Sequence, residues 1–430
     1  MDLMKIEKAF SQKKGSFFTR GWIKRKRELK GKMFFLLRDE TGELQCVADL
    51  EKLDKKTKED CLKATIESSV YFKGELHADE RAPSGVELKV SFIEIVGLAE
   101  EFPIQKDFST EYLLDVRHLW VRSSKMRDAF KVRATVFEAF REFMKLQDCI
   151  EVQGPMFVGG MVEGAMTLFK VPYFDKTVFL TQSSQFYLEV LMYSLGNVYT
   201  IAPSFRAEKS KTTRHLTEFW HAEVELPWVG LKEIIDFEEA MIKHIAQAVV
   251  NKREKELKAL GRNPEELAPT IEKKFQRMRY DEVLEIAKKK FPHLKSGADF
   301  GEKEEREITR KMDTPLIVTH YPASLKPFYH RPDPENPNYV LCNDVLAPEG
   351  YGEIIGSGER TWKLEEITSR MEEQGLDQKP YQWYIDLRRY GSVPHAGFGL
   401  GLDRLTSWLA KTGHIRDVIP FPRTMNRYYP

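Results

Sequence analysis

The stretch 205–225, FRAEKSKTTRHLTEFWHAEVE, concentrates side chains that could do chemistry. Read as two short extended runs joined by a basic, Thr-rich loop, it puts Arg206 and Glu208 on one face of the first run. The same period of two puts Phe219, His221, Glu223 and Glu225 on one face of the second, with Arg214 and His215 at the end of the loop. Arginine's planar fork suits phosphate or carboxylate, a neighbouring glutamate can accept from an amine, and Phe219 can stack a planar heterocycle. Taken alone, the stretch reads equally well as a surface hairpin laced with salt bridges.

Two further segments have the same character. In GYGEIIGSGER (350–360), Glu353 precedes a Gly-rich run that ends at Arg360. A carboxylate beside exposed backbone suits a magnesium ion carrying substrate phosphates, although a tight turn with a surface acid explains the segment as well. In GFGLGLDRL (397–405), glycines 397, 399 and 401 strip one strand face bare, so that a flat ring could lie there. Arg404 would follow in the first turn of a helix, whose N-terminus favours phosphate. No βαβ unit with a ribose-binding acid accompanies these glycines, and no Walker lysine occurs, so an ATP site here is not a P-loop. Together the segments offer arginines for phosphate, a metal-binding acid, an aromatic shelf and a glycine floor. That set fits ATP with its phosphates bent over a strand surface, reacting by positioning and charge stabilisation without a covalent protein nucleophile.

The elements that must hold these groups can be read in outline. Residues 17–97 alternate short apolar runs with polar turns and carry one helical interruption, which predicts a small β-barrel over 1–100. A polar connector spans 101–115, and 116–430 reads as sheet with helices. Apolar residues recur at helical spacing through SSKMRDAFKVRATVFEAFREFMKLQ, and a charged helical insertion is expected at about 230–312. The fold class is α+β. Net charge is only +1, so nucleic-acid binding has to come from a local patch. One lies between Arg20 and Arg38, where eight basic residues face a single Glu28. The four cysteines form no close pair, which speaks against zinc clusters and disulfide scaffolds. The N-terminus lacks an apolar signal core and no membrane-length apolar run occurs, so a cytoplasmic protein with no membrane partner is expected.

The sequence resembles the class II aminoacyl-tRNA synthetases. FRAE…TTRHLTEFWHAEVE and GFGLGLDRL…HIRDVIPFPRTMNRYYP are similar to motifs 2 and 3 of that class, and YLLDVRHLWVRSS through Pro155 to motif 1, which forms its dimer interface. A barrel ahead of these motifs resembles the aspartyl/asparaginyl/lysyl subgroup in its compact archaeal-like form, whose OB-fold reads the anticodon. The resemblance implies an antiparallel catalytic sheet, a homodimer, ATP and Mg²⁺. By the same match, Arg206 would hold the α-phosphate and the substrate carboxylate, Glu208 and Phe219 the adenine, and Arg214, His215 and Arg404 the outer phosphates. Leu216 and Gly401 complete that ATP set. Glu353, with the Gly356 position, would carry Mg²⁺. Phe34 stands where the family stacks the middle anticodon base and Gln45 where it hydrogen-bonds that base, with Arg38 nearby; barrel core and a solvated strand are the plainer readings of Phe34 and Gln45.

For the amino acid, the resemblance points to Glu163, Ser183 and Gln185, with the latter two in TQSSQFYLE. Glu163 and Gln185 would bind the α-amino group. Aspartate-specific members carry a lysine where this chain has Leu188, and the next residue is Glu189. A glutamate accepts an amide N–H and repels a carboxylate, while Arg360 remains for the side-chain oxygen, so asparagine and tRNA(Asn) are the expected partners. Two positions depart from the family: Ala165 replaces a glycine and Glu359 a glutamine, which adds charge near the substrate. An aspartate-specific or non-discriminating enzyme, an asparagine-forming relative of the same catalytic domain and an idle RNA-binding paralogue stay as alternatives.

Overall fold

The computed structural model describes residues 2–104, 108–159, 168–209 and 212–430. The chain divides into two compact units, Met1–Leu113 and Leu114–Pro430. In the first, β1 (Gly15–Leu29), β2 (Lys32–Arg38), β3 (Glu43–Asp49), β4 (Ser69–Ala78) and β5 (Val86–Gly97) close into a barrel of order β1-β2-β3-β5-β4. Helix α1 (Ile6–Gln12) precedes it, and α2 (Lys55–Lys63) is inserted between β3 and β4. The side chain of Asp54 caps α2 by accepting from the backbone of Thr57. Alternation builds the barrel wall. On β2, Met33, Phe35 and Leu37 are buried inside, whereas Phe34, Leu36 and Arg38 are half-buried on the outer face.

The second unit is organised by an eight-stranded sheet of order β12-β13-β14-β15-β16-β11-β10-β6. Its strands are β6 (Ile150–Glu151), β10 (Val198–Phe205), β11 (Glu218–Pro227), β12 (Gln276–Arg279), β13 (Leu316–Thr319), β14 (Cys342–Ala347), β15 (Gly352–Glu359) and β16 (His395–Gly401). A small sheet of β7 (Phe157–Val158), β8 (Lys170–Tyr173) and β9 (Lys176–Leu180) stands apart from it. The large sheet is antiparallel from β13 through β10, but its outermost pairs, β12 with β13 and β6 with β10, run parallel. The expectation of an antiparallel sheet therefore holds for the interior and not for the edges.

Helices α3 (Ser124–Leu146) and α5 (Leu231–Leu260) cover one face of the sheet. Val132, Val136 and Phe140 of α3, spaced by four, form an apolar stripe that joins Ile242, Ile245 and Val249 of α5 and Ala222, Val224 and Leu400 of the strands in one buried cluster. Because Ala222 and Val224 face these helices, the intervening His221, Glu223 and Glu225 must face the other way. The core thus sets the direction of the functional side chains. Helix α4 (Gln185–Leu195) lies between β9 and β10 in sequence. The 230–312 region contains α5, α6 (Tyr280–Lys288) and α7 (Glu302–Thr309), but it also contributes β12. A four-residue QRMR strand shows no legible alternation, and its order comes from its partner Leu316–Thr319. Helices α8 (Leu364–Glu373), α9 (Gln382–Arg389) and α10 (Leu402–Leu409) complete the unit. Among the described residues, no helix is long and apolar enough to cross a membrane.

Candidate active site

Strand β10 ends at Phe205, so Arg206 and Glu208 lie in the loop and not on the strand face expected for them. Arg206 stays at the strand's mouth because its backbone N–H donates to the Thr217 carbonyl at 3.0 Å. Its guanidinium stands 5.5 Å from the centre of the Phe219 ring. Phe219 in turn packs on a cluster of Leu216, Ile415, Val418 and Ile419. Across β11, His221, Glu223 and Glu225 lie opposite Gly401, Gly399 and Gly397 of β16. A Cβ on Gly397 would stand 2.2 Å from Glu225 Oε1, and one on Gly399 2.4 Å from His221 Nε2. These glycines make room for the side chains of β11, so Gly397 is not an open floor for a ligand ring. Gly399 and Gly401 do border a cavity of about 50 Å³ lined also by Arg206, Phe219, Glu353 and Arg404.

Arg404 Nη1 donates to both the carboxylate and the backbone carbonyl of Glu353, each at 3.0 Å. Burial alone would raise the Glu353 pKa, but Arg404, Arg214, Lys326 and Arg206 hold it at about 2. Asp344 lies opposite Gly356 across the β14–β15 ladder. A Cβ on Gly356 would be 3.7 Å from Glu353 Oε1 and 3.8 Å from Asp344 Oδ1. Two carboxylates therefore flank a position that carries no side chain. Lys326 Nζ grips both oxygens of Asp344, at 2.8 and 2.7 Å. Among the described residues, no group of three or more His, Cys, Asp or Glu gathers to hold a metal. Glu353 and Asp344 suit Mg²⁺, a hard cation that takes the rest of its shell from phosphate and water. Asp344 escaped the sequence reading because only the strand pairing brings it beside Glu353. His215 is half-buried, and burial with the nearby charges of Arg404 and Arg214 lowers its pKa to about 4, so it is neutral at pH 7. Its Nε2 lies 3.8 Å from Glu208.

On α4, Gln185 and Glu189 share a face one turn apart. Glu189 is fully buried and its carboxylate accepts from Gln185 Nε2 at 3.0 Å, Tyr384 Oη at 2.7 Å and Arg388 Nη2 at 2.6 Å, with His395 Nε2 at 3.1 Å. Burial opposes its charge, yet Arg388 and His395 bring its pKa far below the usual carboxylate range. With Gln185, Tyr384 and Arg388 already bonded to it, this carboxylate is built into the wall, which speaks against the direct role expected for Glu189. Removing one partner of such a buried pair costs about 3–5 kcal/mol, so this cluster is a stiff wall. Leu188 points about 100° away around the helix. It packs with Val152, Met192 and Val198, so its expected place in the pocket is corrected as well.

The carboxylate that Arg360 engages is Glu225. Arg360 Nη2 reaches Glu225 Oε1 at 2.5 Å and Nε reaches both oxygens at 3.1 and 3.3 Å, with both side chains buried. Among the described residues Arg360 Nη1 makes no hydrogen bond, so the pair presents a donor beside an acceptor. Burial pushes Glu225 up to about 8, against the opposing charge of Arg360. The period-two count put Glu225 on the right face, but nothing in the sequence linked it to Arg360. Ser183 Oγ and Ser184 N donate to Glu223, which closes the turn before α4. Gln185 donates through Nε2 and keeps its carbonyl oxygen as an acceptor. Glu359 accepts from Arg331 Nη1, so the added charge is neutralised and does not deepen a negative field. Glu163 and Ala165 lie outside the described residues.

On the barrel, Arg27 lies over the outward ring of Phe34, 5.2 Å from its centre. Gln45 lies opposite Leu36 and donates to Glu87 at 3.2 Å. Arg38 pairs with Glu67 at 2.5 Å and covers Trp22 at 5.4 Å. Phe34 is thus an outer-face residue and not barrel core.

A family model of the class II tRNA synthetases (D, K and N) matches residues 109–425, and one of the OB-fold nucleic acid binding domain matches 18–96. The chain belongs to the class II aminoacyl-tRNA synthetases. It is 49% identical over 411 residues to the asparagine--tRNA ligase of Thermoplasma acidophilum, covering 96% of each chain. It is 45% identical over 410 residues to that of Thermococcus gammatolerans, covering 95% of each. The asparaginyl-tRNA synthetase of Pyrococcus horikoshii complexed with asparaginyl-adenylate superposes with a TM-score of 0.96 at 42% identity, over 100% of both chains. Within the class, the chain falls among the asparagine--tRNA ligases.

Proposed function

We propose that this chain activates asparagine with ATP and transfers it to tRNA(Asn), and that the Arg360–Glu225 pair selects the amino acid. The carrying observation is that this buried pair offers one hydrogen-bond donor and one acceptor side by side. A primary amide is the complement of that pattern, with a carbonyl for Arg360 Nη1 and an N–H for Glu225. Aspartate brings two acceptors, and one of them meets the Glu225 carboxylate. Gln185 offers its carbonyl oxygen to the α-ammonium group, and Ser183 and Glu223 hold the turn that places Gln185.

In the first step the asparagine carboxylate attacks the α-phosphorus, the bond to the β-phosphate oxygen breaks, and pyrophosphate leaves. Arg206 neutralises charge as it builds on the α-phosphate. Phe219 carries the adenine, with Glu208 accepting from its amine. Arg404, Arg214 and neutral His215 engage the outer phosphates. Mg²⁺ held by Glu353 and Asp344 would supply further positive charge there. In the second step a hydroxyl of the terminal ribose attacks the activated carbonyl and AMP leaves. Catalysis rests on positioning and electrostatics. Pyrophosphate exchange with each amino acid in turn tests the assignment: above about pH 8, where Glu225 is ionised, asparagine alone should support rapid exchange, and equal exchange with aspartate there would replace it by a non-discriminating enzyme.

The barrel binds the anticodon through its basic outer face, with Phe34 as the stacking platform. Replacing Phe34 by Ala should cost about 1–3 kcal/mol of tRNA binding and leave tRNA-independent exchange unchanged. Parental aminoacylation by that variant would remove Phe34 from the interface. The protein works in the cytoplasm as a homodimer that forms at β6, where Ile150 at the sheet's edge and Leu146 at the end of α3 are exposed.

A further inference from the structure

Helix α7 (Glu302–Thr309) belongs to the inserted region, far in sequence from the three segments that carry the chemistry, yet it reaches the phosphate end of the site. Glu305, 6% exposed, takes both Nη1 and Nη2 of Arg214. The same carboxylate accepts from the backbone N–H of Glu353 at 2.8 Å. One turn earlier in the helix, Glu302 accepts from Thr213 Oγ1 at 2.9 Å. Two carboxylates of one helix therefore hold two consecutive residues of the motif 2 loop, and one of them also holds the strand that bears Glu353.

The local backbone is shaped for this contact. Gly352 has φ of +75°, and a Cβ there would stand 2.7 Å from both Arg214 Nη1 and Glu305 Oε2. Any side chain at 352 would push the ion pair off the strand. The contact also leaves Arg214 with work to do. Its Nε–H is buried and, among the described residues, has no protein acceptor. A buried, unmet donor on a fixed guanidinium is costly unless a ligand supplies the acceptor. Arg214 lines the nucleotide cavity beside Arg404 and Glu353, so an outer phosphate oxygen is the acceptor within reach.

We infer that Glu305 is a positioning residue for ATP: it fixes the plane of Arg214 through the Nη edge and aims the Nε–H at the outer phosphates. This rests on the assignment of Arg214 to those phosphates. It gives the inserted helices a part in the reaction that neither their composition nor their distance in sequence suggests. Because the Arg214–Glu305 pair is close to neutral, it also directs the phosphates by geometry more than by surplus charge, so pyrophosphate is not over-bound once it leaves.

The test is a double-mutant cycle read by the KM for ATP in pyrophosphate exchange. Glu305→Gln keeps size and burial but loses the charge-fixed fork; it should raise the ATP KM by about tenfold with the asparagine KM nearly unchanged. Glu305→Asp should recover part of that loss. In an Arg214→Ala background, itself raised in ATP KM, adding Glu305→Gln should have no further effect, because the residue through which Glu305 acts is gone. An unchanged or lowered ATP KM in Glu305→Gln would overturn the inference, and so would equal losses in the presence and absence of Arg214. If Arg214→Ala alone left the ATP KM unmoved, the phosphate role of Arg214 would be what fails. Equal melting temperatures for the variants and the parent would exclude loss of fold as the cause of a raised KM.

Discussion

Replacing Arg206 or Arg404 by Ala is expected to lower adenylate formation by about 10³-fold or more while tRNA binding stays near the parental value. The size follows from the chemistry: with no covalent nucleophile, charge stabilisation at the phosphorus is most of what the protein supplies. The two arginines should fail differently. Arg206 sits against Phe219 at the mouth of the loop, so its loss removes the cation beside the α-phosphate and loosens the adenine shelf. Arg404 is bonded to Glu353, and it is the foremost of the charges that bring that carboxylate to about 2. Without Arg404 the Glu353 pKa should rise, and its hold on Mg²⁺ should weaken below neutral pH. The Arg404 variant should therefore lose more activity on acidification than the Arg206 variant. Pyrophosphate exchange and filter binding of tRNA, run in parallel over pH, check both statements. Exchange within a few-fold of the parent in both variants would remove these residues from the phosphate site.

The parts of the site that were legible in the sequence are those in which function and local pattern coincide. Phe219, His221, Glu223 and Glu225 obey the period of two because β11 is a regular strand with one face on the core. The barrel was legible for the same reason: Met33, Phe35 and Leu37 alternate with Phe34, Leu36 and Arg38. The features that were not legible are tertiary. Asp344 meets Glu353 only through the β14–β15 register, Arg388 and Tyr384 come to Glu189 from a helix almost two hundred positions later, and Glu305 comes from the insertion. A count along α4 could show that Gln185 and Glu189 share a face, but not that His395, Tyr384 and Arg388 already occupy the glutamate. The loop holding Arg206 and Glu208 misled in another way. Its residues alternate like a strand, but the ladder ends at the Phe205–Glu218 pair, because the next N–H across, that of Thr217, donates to the Arg423 carbonyl and not to β10.

Amino-acid choice is expected to respond most to Glu225. Replacing it by Gln puts a group that can both donate and accept beside Arg360, so aspartate's second oxygen would meet an N–H where it met a carboxylate. The preference for asparagine over aspartate, measured as the ratio of kcat/KM in exchange, should fall by about 10²-fold. The pH dependence supplies an independent arm. Burial raises the Glu225 pKa to about 8, so the carboxylate form gains ground as pH rises through that value, and the protonated form prevails below it. A protonated Glu225 can donate to a carboxylate, whereas an ionised one repels it. Discrimination against aspartate should therefore sharpen as pH rises through about 8 and relax below it. In Glu225→Gln that dependence should disappear, because no titrating group remains at the position. Glu189→Gln, by contrast, should act on stability and on the placement of Gln185 before it acts on side-chain choice, since Glu189 bonds Gln185, Tyr384 and Arg388. If Glu189→Gln narrowed the asparagine preference while Glu225→Gln left it intact, the selecting carboxylate would be Glu189, and the wall around it would have to open when substrate binds.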